Sequence, residues 1–252
     1  MTYTLYNEDC LTRLKQIPDN SIDCVVTSPP YNIGIAYNTY KDKRKDYHTW
    51  MNEIFIEIAR IVKPNGHFFL NIGPTRKEPT LPYTLAQQVP MKIQNSIIWA
   101  KAIEIDNAIR GHGQVCNTDR YLARGWEMVW HFTHDGKQPV SLRVPYQQEW
   151  MEYNYKKTGR RDRPTTDCWH ISYETTGAWG KDANKIKGDI KHPAIFPADL
   201  VKHCIDMCNP QTVLDPFAGT GTVGYVAKQM GIDATLIELD SEYCEFIHTR
   251  MK

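Results

Sequence analysis

The stretch VLDPFAGTGTVGYVAKQMGIDATLIELD, residues 213–240, decides the fold. A short apolar run, Val213 and Leu214, ends at Asp215. Gly219 and Gly221 follow, and a segment with helical spacing opens, "VGYVAKQM". A second apolar run, "DATLIELD", then reaches Glu238. Glycines between a strand and a helix let the chain turn tightly and let a ligand approach the backbone. An acidic residue about 20 positions later is where a dinucleotide fold bonds a ribose diol.

The spacing of Gly219, Gly221 and Gly224 formally matches the G-x-G-x-x-G fingerprint of nicotinamide binders. Alone, that pattern also fits an unoccupied tight turn. Asp215, placed ahead of the glycines, points to another ligand. A carboxylate there repels a pyrophosphate but pairs with an ammonium. S-adenosylmethionine carries an α-ammonium, a sulfonium and a ribose diol, and no phosphate. It suits this loop better than NAD.

Outward from this stretch the same grammar repeats. "YTLYNED" reads as a strand ending near Asp9, and "CLTRLKQI" as a short helix with Leu11, Leu14 and Ile17 on one stripe. "PDNS" breaks it, and "IDCVV" is the next strand. Strand, helix, strand implies a parallel pair with a right-handed crossover. "YHTWMNEIFIEIARIV" is a helix with Trp50, Ile54, Ile58 and Ile61 on one stripe, stopped by "KPNG". "HFFLNIG" and "IQNSIIWAK" are strands around the helix "LPYTLAQQV". "WEMVWHFT" is a further strand, antiparallel or at an edge. "PADLVKHCIDMC" and "SEYCEFIHTRM" are the later helices. The class is α/β, a doubly wound, mostly parallel Rossmann-like sheet. Residues 133–190 break the rhythm: they are polar, mix basic and aromatic residues, and show no long amphipathic helix. A small inserted domain or a lid is expected there, because so long a structureless loop is unusual.

The 252 residues, net charge +1 and 41% hydrophobic content allow one large domain with a small insertion. No apolar run approaches the roughly 18 residues of a membrane span. The opening "MTYTLYNEDC" lacks the basic start and apolar core of a signal peptide, so the expected location is cytoplasmic, with no membrane association. Seven cysteines, an odd count, argue against a disulfide framework. Cys204 and Cys208, four apart beside His203, have zinc-like spacing, but buried cysteines are the better reading. The basic clusters "KDKRK" (41–45) and "KKTGRRDR" (156–163) are, by themselves, best read as solvated surface.

A second stretch raises a different question. "IDCVV" ends in Thr27-Ser28-Pro29-Pro30-Tyr31, which can form almost no backbone ladder. "DPFAGTGT" together with "TSPPY" resembles the amino-directed DNA methyltransferases, which methylate cytosine N4 or adenine N6. In that family the first motif is the cofactor loop and the second the catalytic loop. Their order here, catalytic loop first, is similar to the permuted beta class. "NEDCLTRLKQIPDNSIDCVVTSPPY", "IVKPNGHFFLNIG", "WEMVWHFT", "HPAIFP" (192–197) and "LIELDSEYCEFIHTR" resemble further family segments across nearly the whole chain. Only 133–190 has no clear counterpart, and the family's variable target-recognition region sits there. The resemblance implies three parts: 1–132 as the catalytic half of the methyltransferase domain, 133–190 as the target-recognition insertion, and 191–252 as the cofactor-binding half. Permutation is physically tolerable, because the fold needs only the spatial order of its pockets.

An exocyclic amine is a poor nucleophile, since its lone pair is delocalised into the ring. An acceptor for an amino hydrogen frees that pair. Ser28 Oγ and the Pro29 carbonyl are suitable acceptors, with Pro29 and Pro30 fixing the backbone, and Tyr31 offers a flat face to a flipped base. Direct in-line transfer follows, with positioning carrying most of the catalysis. No metal and no covalent cysteine are required, and Cys10 and Cys24 are packing residues.

The remaining roles are implied by the resemblance. S-adenosyl-L-methionine is the cofactor, with Asp215, Phe217, Gly219, Gly221, Glu238 and Phe196 around it. Asp9 is placed for its adenine, or caps the following helix. Phe217 and Phe196 line the pocket or pack the core. His192 is a ligand or, preferably, structural. Double-stranded DNA is the partner, met by Lys43, Arg44 and Lys45 with Tyr37 and Tyr40 after the catalytic loop. Lys156, Lys157, Arg160, Arg161 and Arg163 supply base-edge readers. A separate cognate restriction endonuclease is a candidate partner. Serine at the head of the catalytic motif accompanies cytosine N4 in the family, and aspartate adenine N6, so cytosine N4 is expected with adenine N6 as the alternative. Methylation of RNA or protein, or non-catalytic cofactor binding, are the other classes. The chain order argues against the first and the intact Ser28-Pro29-Pro30-Tyr31 against the second.

Overall fold

The structure, a computed structural model, describes residues 1–34, 42–105, 108–111, 120, 122, 124–172 and 197–252. The first elements are β1 (Tyr3–Asn7), α1 (Cys10–Leu14), β2 (Ile22–Thr27), α2 (Tyr47–Ile61), β3 (Val62–Ile72) and α3 (Leu81–Ala86). β4 (Lys92–Ala100), β5 (Ala102–Ile105), β6 (Ala108–Gly111), β7 (Trp126–Thr133), β8 (Arg143–Pro145) and α4 (Gln148–Thr158) follow. β9 (Asp162–Pro164), β10 (Cys168–His170), α5 (Ala198–Cys208), β11 (Thr212–Asp215), α6 (Thr222–Met230), β12 (Asp233–Glu238) and α7 (Ser241–Arg250) complete it.

Eight strands form one sheet in the order β1-β12-β11-β2-β3-β7-β4-β10. β7 runs antiparallel to β3 and β4, and the other neighbours are parallel. The doubly wound expectation therefore holds, and "WEMVWHFT" is antiparallel, though it lies inside the sheet rather than at an edge. Both faces are covered, as a parallel sheet requires. On β2, Val25 faces one apolar layer with α1, α2 and α3, while Cys24 and Val26 face the other with α5 and α6. β3 repeats this with Phe68 and Leu70 against Phe69, and β12 with Ile237 against Leu236. Ile54, Ile58 and Ile61 of the predicted α2 stripe are fully buried.

α2 ends at Ile61, just before "KPNG", as expected, but β3 starts earlier than "HFFLNIG" and includes those residues. The register against β2 slips there, from Ile22↔Val62 to Cys24↔His67. Gly66 permits it, since a Cβ would lie 2.9 Å from the Asp23 carbonyl oxygen. Among the described residues of 133–190 is a helix, α4. It buries none of its residues, so it carries no apolar stripe for the sequence to show. Its end is marked by Gly159 at φ 69°, whose N–H reaches the Tyr155 carbonyl at 2.8 Å. The same region also contributes β10, which extends the main sheet beside β4.

Candidate active site

β2 and β11 are parallel neighbours, with Cys24 opposite Val213 and Val25 opposite Leu214. From β2 the chain crosses to β3 on one side, and from β11 to β12 on the other. Their carboxyl ends thus flank a switch point, where open α/β sheets bind ligands. The two ends are bonded directly. Thr27 Oγ donates to Asp215 Oδ1 at 2.7 Å, and the Phe217 N–H to the same oxygen at 3.0 Å. Burial pushes the Asp215 carboxyl up to about 7, against the pull of those two hydrogen bonds.

The loop after Asp215 turns through positive φ at Gly219 (52°) and Gly221 (77°). A Cβ on Gly221 would also stand 2.8 Å from Ile247 Cγ1 of α7, so this position has two reasons to be glycine. Glu238 reaches back under the turn. Its Oε2 accepts the Gly219 N–H at 2.7 Å and its Oε1 the Asp240 N–H at 2.9 Å. Burial raises its carboxyl above the ordinary range. The residue read from sequence as a ribose ligand braces the glycine turn.

The Ser28-Pro29-Pro30-Tyr31 motif leaves β2 with Pro29 buried and Ser28, Pro30 and Tyr31 half-buried. The Tyr47 hydroxyl, at the start of α2, donates to the Pro30 carbonyl at 2.6 Å. Tyr47 had no assigned role in the sequence; only its position beside a helix start singles it out. The Tyr31 hydroxyl donates to Glu127 Oε2 at 2.9 Å, and Lys101 pairs with Glu127. Burial and the Glu127 charge push the Tyr31 phenol well up, so it stays protonated. An acidic residue opening an otherwise apolar strand, "WEMVWHFT", was the one trace of Glu127 in the sequence.

After the motif, Asn32 and Gly34 are bonded to residues of 42–44. Asn32, at φ 57°, accepts the Arg44 N–H at 2.7 Å and donates to the Arg44 carbonyl at 3.2 Å. Buried Asp42 accepts the Gly34 N–H at 2.6 Å. Arg44 turns its guanidinium toward Asp46, at 3.0 Å, and over the Trp50 ring, 4.6 Å away. Trp50 meets Phe217 edge-on at 5.6 Å. Lys43 and Lys45 are exposed, as are Arg160 and Arg161 on the segment joining α4 to β9 and Arg163 within β9. Arg161 lies over the Tyr155 ring at 5.0 Å.

Asp9 caps α1, accepting the Thr12 N–H at 3.0 Å. Phe217 packs partly against the core. Phe196, His192, Tyr37 and Tyr40 lie outside the described residues. Cys10, Cys24 and Cys204 are buried, Cys208 is half-buried, and His203 bonds the Asp199 carbonyl at 2.8 Å. Among the described residues no helix is long and apolar enough to cross a membrane.

The model of a DNA methylase family, that of N6- and N4-directed enzymes, matches residues 22–249. Among curated proteins, the chain is similar to the type II methyltransferase M.ScaI of Streptomyces caespitosus. They are 27% identical over 98% of this chain and 81% of that protein. M.BglII of Bacillus subtilis is 28% identical over 97% of this chain and 67% of that protein. Among solved structures, the PvuII cytosine-N4-specific DNA methyltransferase superposes with a TM-score of 0.72 at 20% identity, covering 100% of this chain and 87% of that one. TTHA0409 of Thermus thermophilus, a DNA modification methylase by its description and solved with S-adenosyl-L-methionine, gives 0.59 at 21% identity. That match covers 99% of this chain and 93% of that one.

Proposed function

The chain belongs to the N6/N4 DNA methylase family, and from that premise we propose that it transfers the methyl group of S-adenosyl-L-methionine to cytosine N4 in duplex DNA. The observation that carries this reading is the bonded adjacency of the two loops. Thr27, one residue before Ser28, donates to Asp215, four residues before Gly219. The acceptor end for an amine and the glycine turn for a cofactor therefore lie side by side at the carboxyl ends of β2 and β11. The donor set fits this cofactor. Two buried carboxylates, Asp215 and Glu238, flank a glycine turn, which suits an ammonium and a ribose diol and repels phosphate.

When bound, the cofactor supplies an electrophilic methyl group on a sulfonium. The chain's own residues prepare the other partner. Ser28 Oγ and the Pro29 carbonyl accept hydrogen bonds from the amino group of the target base and free its lone pair; the nitrogen takes the methyl as the bond to sulfur breaks, and the surplus amino proton passes to solvent. The Tyr31 ring gives the extruded base a surface on which to stack. Tyr47 holds the Pro30 carbonyl and so sets the path of the motif. Exposed Lys43, Lys45, Arg160, Arg161 and Arg163 supply phosphate and base-edge contacts. Residues 133–190 act as the target-recognition region. Serine at the head of the motif, and the cytosine-N4 specificity in the name of the PvuII neighbour, favour cytosine over adenine.

The test is direct. The protein is incubated with methyl-labelled cofactor and mixed-sequence duplex DNA, with RNA and protein as parallel acceptors, and the DNA is digested to nucleosides. Label in N4-methylcytosine is expected. Label in N6-methyladenine alone overturns the choice of base, and label in RNA or protein alone overturns the choice of substrate.

A pH dependence follows from Asp215. Its carboxyl, raised to about 7 in the free protein, must ionise to pair with an ammonium. Cofactor affinity should therefore rise as pH increases through about 7, and Asp215→Asn should flatten that rise. Calorimetric titration of the cofactor at several pH values checks it.

A further inference from the structure

We propose that Glu127, held by Lys101, is a positioning residue for the catalytic motif: it grips the Tyr31 phenol and sets the plane of that ring for the incoming base. This rests on the reading of Tyr31 as the base's stacking surface.

Three separate elements converge to make the grip. Tyr31 follows β2, Glu127 is the second residue of β7, and Lys101 directly follows β4. The Tyr31 hydroxyl donates to Glu127 Oε2 at 2.9 Å, and Lys101 Nζ binds the other oxygen, Oε1. Each carboxylate oxygen thus has its own partner, which holds the carboxylate plane. Lys101 is steered in turn by the Trp99 ring, whose centroid is 4.5 Å from Nζ.

The backbone makes room for the carboxylate. At the end of β3, a Cβ on Gly73 would stand 2.8 Å from Glu127 Cγ and 3.1 Å from its Cδ. A side chain there would push Glu127 off the phenol. The ion pair is also well covered, with the Lys101 and Glu127 side chains 16% and 15% exposed. A pair so far out of water is a weak device for stability alone, because desolvation offsets much of the attraction. Its useful property is geometry.

A tyrosine ring tethered at its hydroxyl end loses freedom about its side-chain torsions before any base arrives. The ordering that stacking requires is then already met in the free protein.

The experiment is a double-mutant cycle read as total methyl label entering DNA, whichever base carries it. Glu127→Ala and Tyr31→Phe are each expected to lower kcat roughly 10- to 100-fold with the KM for DNA changed by only about threefold, since positioning acts on the reacting geometry. The double variant should fall no more than about twofold below Tyr31→Phe, because both changes break one contact. Glu127→Gln, which keeps an acceptor oxygen, should restore part of the loss, and it carries the comparison if the alanine variant folds poorly. Additive losses in the cycle, or full kcat in Glu127→Ala, overturn the proposal.

A second readout does not depend on activity. In protein labelled with ¹³C at tyrosine Cζ, the Tyr31 resonance is identified by its disappearance in Tyr31→Phe. It should shift in Glu127→Gln and in Lys101→Met. An unmoved resonance removes the grip even if methylation is seen. A moved resonance in a protein that labels no DNA supports the grip and removes the assigned reaction instead.

Discussion

Tyr31→Ala should lower methyl transfer by roughly 10²-fold or more while leaving cofactor affinity within about threefold, because it removes the stacking face and its tether together. Stacking of a base on an aromatic ring contributes about 1–3 kcal/mol. Loss of register at the reacting atoms adds to this. Cofactor contacts are spared because Tyr31 leaves β2, whereas the glycine turn leaves β11 and is braced from β12. Labelled transfer to DNA gives the first quantity and calorimetry the second. Activity in Tyr31→Ala close to that of the unmodified protein would remove the stacking role. Tyr31→Phe separates the two parts of the effect, since it keeps the ring and loses only the hydrogen bond to Glu127.

The second large effect is expected at Glu238. Its carboxylate accepts from the Gly219 and Asp240 N–H groups. Glu238→Ala leaves two covered donors without that acceptor, at about 1–3 kcal/mol each. It also removes the proposed partner of the ribose hydroxyls. Cofactor affinity should fall roughly 10²-fold, and the thermal midpoint should drop as well. Glu238→Gln is nearly as damaging, since one oxygen becomes an NH₂ group facing a backbone N–H. A cofactor product lacking a ribose hydroxyl separates the brace from the ribose contact. In the unmodified protein that analogue should bind more weakly than its parent, and in Glu238→Ala the difference should vanish. If the difference persists in the variant, Glu238 is a brace only.

Several features were open to reading along the chain because they are local. Continuous apolar runs in "IDCVV" and "HFFLNIG" declare strands covered on both faces, and the stripe of Ile54, Ile58 and Ile61 declares the covering helix. The helix stripe follows from the fixed period of 3.6 residues. The glycine turn and Ser28-Pro29-Pro30-Tyr31 are equally local, because each needs particular backbone torsions at adjacent positions. α4 was hidden for the converse reason. With no residue buried, it has no apolar face to repeat. "KPNG" marked the end of α2, but proline and glycine do not say whether a loop or a slipped strand follows.

Arg44 shows the limit most plainly. Sequence placed it in a basic cluster proposed to meet phosphates, and the fold adds that its exposed guanidinium lies beside Asp46 and over Trp50, which leaves that proposal standing. Charge type is written in the chain, but the direction of a long side chain is chosen by whatever stands nearby.

By itself, then, the sequence determined the α/β class, the two motifs and the chemistry they can support, since each depends on neighbours a few residues apart. Only the tertiary structure decided what those motifs touch. Thr27 meets Asp215 across 188 positions, and Tyr31 meets Glu127 across 96. Such contacts are set by the order of strands in the sheet, and no period along one strand encodes which strand lies beside it.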